Sequence, residues 1–362
     1  MNKYGLVLAG GGAKGAYQLG AWNALREMGV SFNAVAGTSI GSINGAFIAA
    51  DMYNEAIEFW KSAEINNGVN ITEELKDPDN LFSLKNFSSL FKEVLKNKGI
   101  DASPTKELLL RFIDEEKVRR SDVKFGMVTF HLSEFTPLHL FTKDIPQGEL
   151  VDYLLASAKV PLASKIGPEG ERFLDGGVYD NAPIEMLRNN GYNKLIVIDI
   201  SNISGLGHRL DLSCVEMIYI RPYDIEELGA AFDFSDVMFE KRVKMGYLDT
   251  KKAFGYLSGR RYYFDKDVFR KMAEKYGAEA CLQLEEIAHE LEMEKLIVYD
   301  ENTFIRNLKL LSEEYKREQE LRQVAEEEKE NTIVNRIKKK YSELRTSKGF
   351  SEGIALLDSI II

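Results

Sequence analysis

Short apolar runs broken by glycine alternate with longer stretches of helical spacing at the start of the chain. Residues 5–9, Gly-Leu-Val-Leu-Ala, form a continuous apolar run that ends in glycines, the pattern of a fully buried strand. Tyr17, Leu19, Ala21, Trp22, Leu25 and Met28 then recur at helical spacing, and Gly29 supplies the stop. Ala34-Val35-Ala36 predicts a second short strand. Residues 43–50 predict a second helix, small and apolar enough to be buried. Strand, helix, strand, helix in this tempo predicts an α/β fold with a mostly parallel sheet.

Further on, residues 125–132 and 138–142 read as paired strands around the turn Ser133-Glu134-Phe135-Thr136-Pro137. Residues 150–158 read as a helix, 195–200 as a strong strand and 217–220 as the last strand. Residues 66–104 break the tempo: they are polar, rich in Asn and Lys, and carry Phe82, Phe87, Leu90 and Phe91. They predict a helical insertion over the sheet that serves as a cap or lid. Beyond Pro222 the pattern turns helical to the end, with Phe304, Leu308, Leu311 and Tyr315 in register, and then Ile333, Ile337, Tyr341 and Leu344. The nearly all-charged run at 313–330 reads as a solvated helix face, with a partner-binding helix as the sharper alternative. Ile360-Ile361-Ile362 reads as a packed tail, with a groove or membrane contact as its alternative.

Composition narrows the class. The 362 residues suffice for one large domain or two modest ones, with a substantial core. A formal net charge of −10 argues against a nucleic-acid partner and gives no global attraction to anionic membranes, so any lipid contact is local. Cys214 and Cys281 stand far apart, which suggests a reducing compartment without a disulfide framework. His131, His139, His208 and His289 are scattered, against a metal cage. Glycines interrupt the first apolar stretch too soon for a signal peptide, and no window reaches the ~20 apolar residues of a membrane span. A cytoplasmic location is the expectation.

Three short motifs carry candidate chemistry. Gly37-Thr38-Ser39-Ile40-Gly41 lies between the second strand and the second helix, where glycines on both sides permit a tight turn with an exposed serine at its apex. The helix N-terminus adds its positive dipole there. By itself the pattern fits either a nucleophile elbow or a tight turn with an incidental serine. Gly10-Gly11-Gly12-Ala13-Lys14-Gly15 follows the first strand, where backbone N–H groups converge on an anion. In acyl transfer that anion is the tetrahedral oxyanion. Lys14 reads either as a partner for a substrate phosphate or as an exposed first-turn lysine. Asp175-Gly176-Gly177 follows the apolar pair Phe173-Leu174, so the carboxylate leaves a strand end on a tight loop; an ordinary Asp-Gly turn has the same pattern.

The first loop also satisfies the dinucleotide fingerprint at Gly10, Gly12 and Gly15. That reading needs an acidic residue at the end of the second strand, and residues 30–36 contain none. A phosphate-binding P-loop fails as well, because Lys14 is followed by Gly15 rather than Ser or Thr.

In order, the three motifs resemble the patatin-like phospholipases. Ala156-Ser157-Ala158-Lys159-Val160-Pro161 and Asn181-Ala182-Pro183 resemble that family's surroundings of the aspartate. The chain departs from the family at Leu162-Ala163-Ser164-Lys165, where an aromatic residue is expected. The resemblance covers roughly residues 3–200 and implies a three-layer α/β/α fold. It implies a lipid acyl hydrolase, as in bacterial members, with Ser39 and Asp175 as a catalytic dyad. The Gly10–Gly15 backbone would be the oxyanion hole, with Gly176 and Gly177 in the aspartate loop, and no metal or cofactor is required. The organisation expected is a catalytic domain at 1–205, an extension at 206–260 packed on it, and a helical region at 261–362. Residues 234–257, including Lys241-Arg242-Val243-Lys244-Met245-Gly246-Tyr247, resemble an extension of some bacterial members.

An aspartate is a weak base for a hydroxyl at an ordinary pKa near 3.9, so the dyad implies a partly desolvated Asp175. A Ser-His-Asp triad would put its histidine after the acid, which leaves His208 as the competing base. A non-catalytic scaffold is the third reading, and the intact pair of Ser39 and Asp175 argues against it.

Overall fold

The computed structural model describes residues 4–66, 103–131, 136–158, 164–166, 171–175, 180–201 and 215–344. The elements run β1 (Tyr4–Leu8), α1 (Ala16–Glu27), β2 (Phe32–Thr38), α2 (Ile40–Ala49), α3 (Tyr53–Asn66), α4 (Ser103–Phe112) and α5 (Glu115–Arg120). There follow β3 (Lys124–His131), β4 (Thr136–Phe141), α6 (Leu150–Ala158), β5 (Ser164–Ile166), β6 (Glu171–Asp175), α7 (Ile184–Arg188), β7 (Lys194–Ile198) and β8 (Glu216–Ile220). Last come α8 (Asp236–Ala253), β9 (Leu257–Ser258), β10 (Tyr263–Asp265), α9 (Lys266–Tyr276), α10 (Ala278–Glu290), β11 (Val298–Tyr299) and α11 (Glu301–Leu344).

The first eight strands form one sheet. β1 lies between β2 and β7, β3 pairs with β2 and β8 with β7, all parallel. β4 and β6 run antiparallel to β3, and β5 antiparallel to β6. Alternation along the strands sorts side chains into two cores, as the pleat requires. Leu6, Leu8, Val35, Met127, Ile196 and Ile198 face α1, α2 and α3. Val7, Ala34, Ala36, Val128, Leu195 and Val197 face α7, through Ile184, Met186 and Leu187. The expected α/β/α layering is therefore present, and the chain beyond β8 is largely helical.

The chain forms two compact units, Met1–Lys271 with Leu296–Val298, and Met272–Lys295 with Tyr299–Ile362. Within the first, α8 crosses α1 at very short range. A Cβ on Gly20 would stand 1.8 Å from the Val243 carbonyl oxygen, and one on Gly246 2.0 Å from that of Tyr17. Just beyond this crossing, the Tyr17 and Tyr263 hydroxyls each donate to the Asp249 carboxylate at 2.8 Å. Burial, then the adjacent carboxylate charge, push both phenols well above their usual range. In the second unit, Lys275 and Tyr276 both donate to Glu301, and Tyr299 meets Phe304 edge-on at 5.4 Å.

Two boundaries differ from expectation. The second helix begins at Ile40 rather than residue 43, because tight packing of Gly41 under the β1 carbonyls overrides the poor helix propensity of Gly41 and Ser42. Residues 217–220 are the last strand of the large sheet but not of the chain, since β9, β10 and β11 follow. Strands of two or three residues are too short to show a period of two. Gly259, at φ +102°, makes the turn between β9 and β10. Most of the expected 66–104 insertion, the His208 loop and the Ile360–Ile362 tail lie outside the described residues.

Candidate active site

Ser39 sits between the last residue of β2 and the first of α2, at φ 55° and ψ −129°. A positive φ in a residue with a Cβ costs on the order of 1–3 kcal/mol and persists only where the surroundings hold it. They do so from three sides. The Ser39 N–H donates to Ser157 Oγ at 3.1 Å, and that hydroxyl donates onward to the Val128 carbonyl at 2.6 Å. The Ser39 carbonyl accepts from the Ser42 N–H and hydroxyl, which starts the helix. The flanking glycines close the turn: a Cβ on Gly37 would lie 2.1 Å from the Gly41 carbonyl oxygen, and one on Gly41 2.4 Å from that of Leu8. Ser39 itself stays half-buried, with a face open to solvent, while Thr38 and Ile40 are buried.

The glycine-rich turn passes beside this apex. A Cβ on Gly10 would stand 3.0 Å from Ser39 Cβ and 2.6 Å from Asn181 Oδ1. The turn continues as one stretch of 3₁₀ helix over Gly12–Gly15, with Gly12 at φ +57° against the Ala231 carbonyl. Its main-chain groups are nearly all committed. The N–H groups of Ala9, Gly10, Ala13 and Lys14 donate to the carbonyls of Ile198, Asn181, Ala231 and Gly11. The carbonyls of Ala9, Gly10 and Gly15 accept from the side-chain amides of Gln18, Asn181 and Asn44. Among the described residues, the N–H groups of Gly11 and Gly12 have no such partner. Gly11 and Gly12 are half-buried.

Asp175 is the last residue of β6. Its position follows from strand pairing. Gly126 to Val128 of β3 pair with both β2 and β4, so those two strands take opposite edges. Thr129 to His131 pair with both β4 and β6, so β6 takes the same edge as β2. β6 thus comes in end-on where β2 leaves for α2: Thr38 stands opposite Val128, and Asp175 opposite Thr129. One residue step along a strand is about 3.3 Å, so the backbones of the serine elbow and of Asp175 meet at one point on the sheet. The Asp175 side chain, Gly176 and Gly177 lie outside the described residues. Where the chain resumes, it is tied to both motifs: Thr38 Oγ1 donates to the Asp180 carbonyl, and Asn181 clamps Gly10 through its carbonyl and its amide.

In the sequence, Ser157 and Asn181 stand out only through the family resemblance. Neither carries a local signal for this role, because the turn backbone each one serves lies far away in sequence. His139 lies on β4 with Nε2 3.2 Å from the Asp180 carboxylate, and His289 is exposed on α10. Lys14 is half-buried in the turn. A cavity of about 680 Å³ lined by Trp22, Arg26, Phe32, Asp51 and Arg120 opens at the other end of β2 and β3, far from Ser39 in the sheet. It plays no part in this site. No helix among the described residues is long and apolar enough to cross a membrane.

The family model for patatin-like phospholipases matches residues 6–188. A patatin-like phospholipase domain-containing protein of Caenorhabditis elegans is 28% identical over 211 residues, 56% of this chain and 14% of that protein. Lysophospholipase nte1 of Aspergillus terreus is 28% identical over 207 residues, 55% of this chain and 12% of that protein. The chain thus spans only a small part of the length of these curated relatives. Among solved structures, VipD from Legionella pneumophila covers 81% of this chain and 76% of its own at 18% identity, with a TM-score of 0.42. The family match takes in half of the chain and holds Ser39, the glycine-rich turn and Asp175, and the chain belongs to the patatin-like phospholipase family.

Proposed function

We propose that the protein is a serine acyl hydrolase that cleaves carboxylic esters of lipids, phospholipid or lysophospholipid, with Ser39 as nucleophile and Asp175 as base. Ser39 Oγ attacks the ester carbonyl carbon as its proton passes to the Asp175 carboxylate. The carbonyl π electrons move to oxygen, and that oxyanion is held by the glycine-rich turn. Collapse of the tetrahedral species breaks the ester C–O bond, and the departing alkoxide takes the proton from Asp175. Water then attacks the acyl-enzyme, giving up its proton to the same carboxylate, and Ser39 leaves reprotonated.

The observation that carries this reading is the meeting of β2 and β6 on one edge of β3, Thr38 and Asp175 standing opposite consecutive residues. Two more support it. The strained φ of Ser39 is typical of a residue held out for reaction. Among the described residues the Gly11 and Gly12 N–H groups have no main-chain acceptor, and they are the oxyanion donors in this reading; Gly10, Ala13 and Lys14 shape the turn. The acyl-enzyme route calls on no metal or cofactor. The lipid is met at a membrane surface by transient contact, in the cytoplasm.

Hydrolysis of a p-nitrophenyl ester and of a lysophospholipid, compared between wild type, Ser39→Ala and Asp175→Asn, tests it. Ser39→Ala lowers kcat by about 10⁶-fold and Asp175→Asn by about 10⁴-fold. Asp175→Asn with wild-type kcat would remove the dyad and point to His208.

A further inference from the structure

From beyond the family match, the side chain of Arg242 of α8 reaches into the glycine-rich turn. It is 1% exposed. Among the described residues, all its hydrogen bonds go to main-chain carbonyls: Nε to Leu228 at 2.8 Å, Nη2 to Ala230 at 2.9 Å, Nη1 to Asp233 at 2.5 Å and to Ala13 at 3.2 Å. Three of these hold the strap at residues 228–233, and the fourth holds the turn itself. The strap then touches the turn a second time, because the Ala231 carbonyl accepts the Ala13 N–H at 2.6 Å and closes over Gly12. The Gly12–Ala13 and Ala13–Lys14 peptides are therefore fixed from outside the turn, one by Ala231 and the next by Arg242.

A buried guanidinium with no carboxylate in hydrogen bond to it is a costly feature. Desolvation draws Arg242 below its usual range, and the Asp233 charge offsets part of this. The Asp233 carboxylate itself is engaged by the Ser235 N–H and hydroxyl. Packing alone does not call for such a group. A leucine or methionine would suffice if the site asked only for apolar volume.

We infer that Arg242 is a positioning residue for acyl transfer: it locks the 228–233 strap onto the glycine-rich turn and so aims the Gly11 and Gly12 N–H groups at the oxyanion. This inference rests on the hydrolase reading above. The planar fork of arginine serves four carbonyls at once, which a lysine ammonium with three donors does not reproduce. Loss of aim at one oxyanion donor costs as much as ~10²–10³ in rate. It acts on the transition state rather than on substrate binding.

The test uses the full chain and measures kcat and KM on a p-nitrophenyl ester. It also measures the affinity of a trifluoromethyl ketone, which forms a tetrahedral adduct at the serine. Arg242→Lys lowers kcat by about 10- to 100-fold and weakens the ketone by a similar factor, with KM changed by less than about threefold. Met245→Ala, buried on the same helix, serves as the stability control; it lowers the melting temperature and leaves kcat at wild-type level. Gly229→Ala reaches the strap from its other end, because Gly229 lies at φ +65° and a Cβ there would meet Met238 Cε at 2.9 Å. It too lowers kcat and leaves KM, and it decides the matter if Arg242→Lys does not fold. A wild type with no Ser39-dependent hydrolysis overturns the hydrolase reading and this inference together. An active wild type alongside Arg242→Lys or Gly229→Ala with unchanged kcat and ketone affinity overturns this inference alone. A loss in Met245→Ala equal to that in Arg242→Lys would also overturn it, since the effect would then be general loosening.

Discussion

Ser157→Ala isolates the hold on the serine elbow. The Ser157 hydroxyl is fully buried and does two things: it accepts the Ser39 N–H at 3.1 Å and donates to the Val128 carbonyl at 2.6 Å. Alanine removes both bonds and leaves the Ser39 N–H without its acceptor. An unmet buried donor costs about 1–3 kcal/mol. At about 2–4 °C per kcal/mol for a domain of this size, the melting temperature falls by roughly 2–12 °C. The effect on rate comes from a second quantity. Holding Ser39 at φ 55° costs on the order of 1–3 kcal/mol, and with one anchor gone the turn can relax toward ordinary geometry. If the whole strain were released, the productive conformer would lose about 5- to 150-fold in population. Calorimetry together with the second-order rate of inactivation by a fluorophosphonate reads both effects. A lowered melting temperature with an unchanged inactivation rate would refute the claim that this hydrogen bond holds the elbow.

Three other substitutions probe separate links. Gly41→Ala would put a Cβ 2.4 Å from the Leu8 carbonyl oxygen and 2.8 Å from that of Ala9, an overpacking worth about 1–3 kcal/mol or more; a calorimetric scan shows the loss, and hydrolysis falls with it. Asn181→Ala frees the Gly10 carbonyl but keeps the main-chain bond from Gly10, so stability changes by only about 1 kcal/mol while ester turnover drops by roughly tenfold. Tyr17→Phe withdraws one of the two phenols on Asp249 and costs about 1–3 kcal/mol in urea unfolding at neutral pH. Because Tyr17 and Tyr263 bind their protons more tightly folded than unfolded, the stability they contribute is complete below about pH 10, the unfolded phenol value, and is lost as pH rises above it. Urea midpoints at pH 9 and 11 should therefore differ less in Tyr17→Phe than in wild type.

The sheet and its helices were legible because the strands near Ser39 are buried on both faces. Leu6 and Leu8 point one way and Val7 the other, yet all are apolar, so they read as unbroken runs. The elbow was legible for a similar reason: Gly37 and Gly41 press against main-chain atoms where no side chain fits. What could not be read was long-range. Nothing local in Ser157 marks it as the acceptor for Ser39, and nothing in the 234–257 stretch marks Arg242 as the clamp on Ala13, a partner 229 positions away. The end-on meeting of β6 with β2 is equally invisible in sequence, because it depends on β4 taking the far edge of β3. The start of α2 was misjudged through propensity, which a tertiary contact outweighed.

The central claim is that Ser39 is a nucleophile served by Asp175, and intact-mass measurement after fluorophosphonate treatment tests it most directly. The account predicts one adduct per chain, mapped by peptide sequencing to Ser39, absent in Ser39→Ala and formed at least about 10²-fold more slowly in Asp175→Asn. No adduct on the folded wild-type protein, or an adduct at Ser39 that forms equally fast in Asp175→Asn, would contradict it.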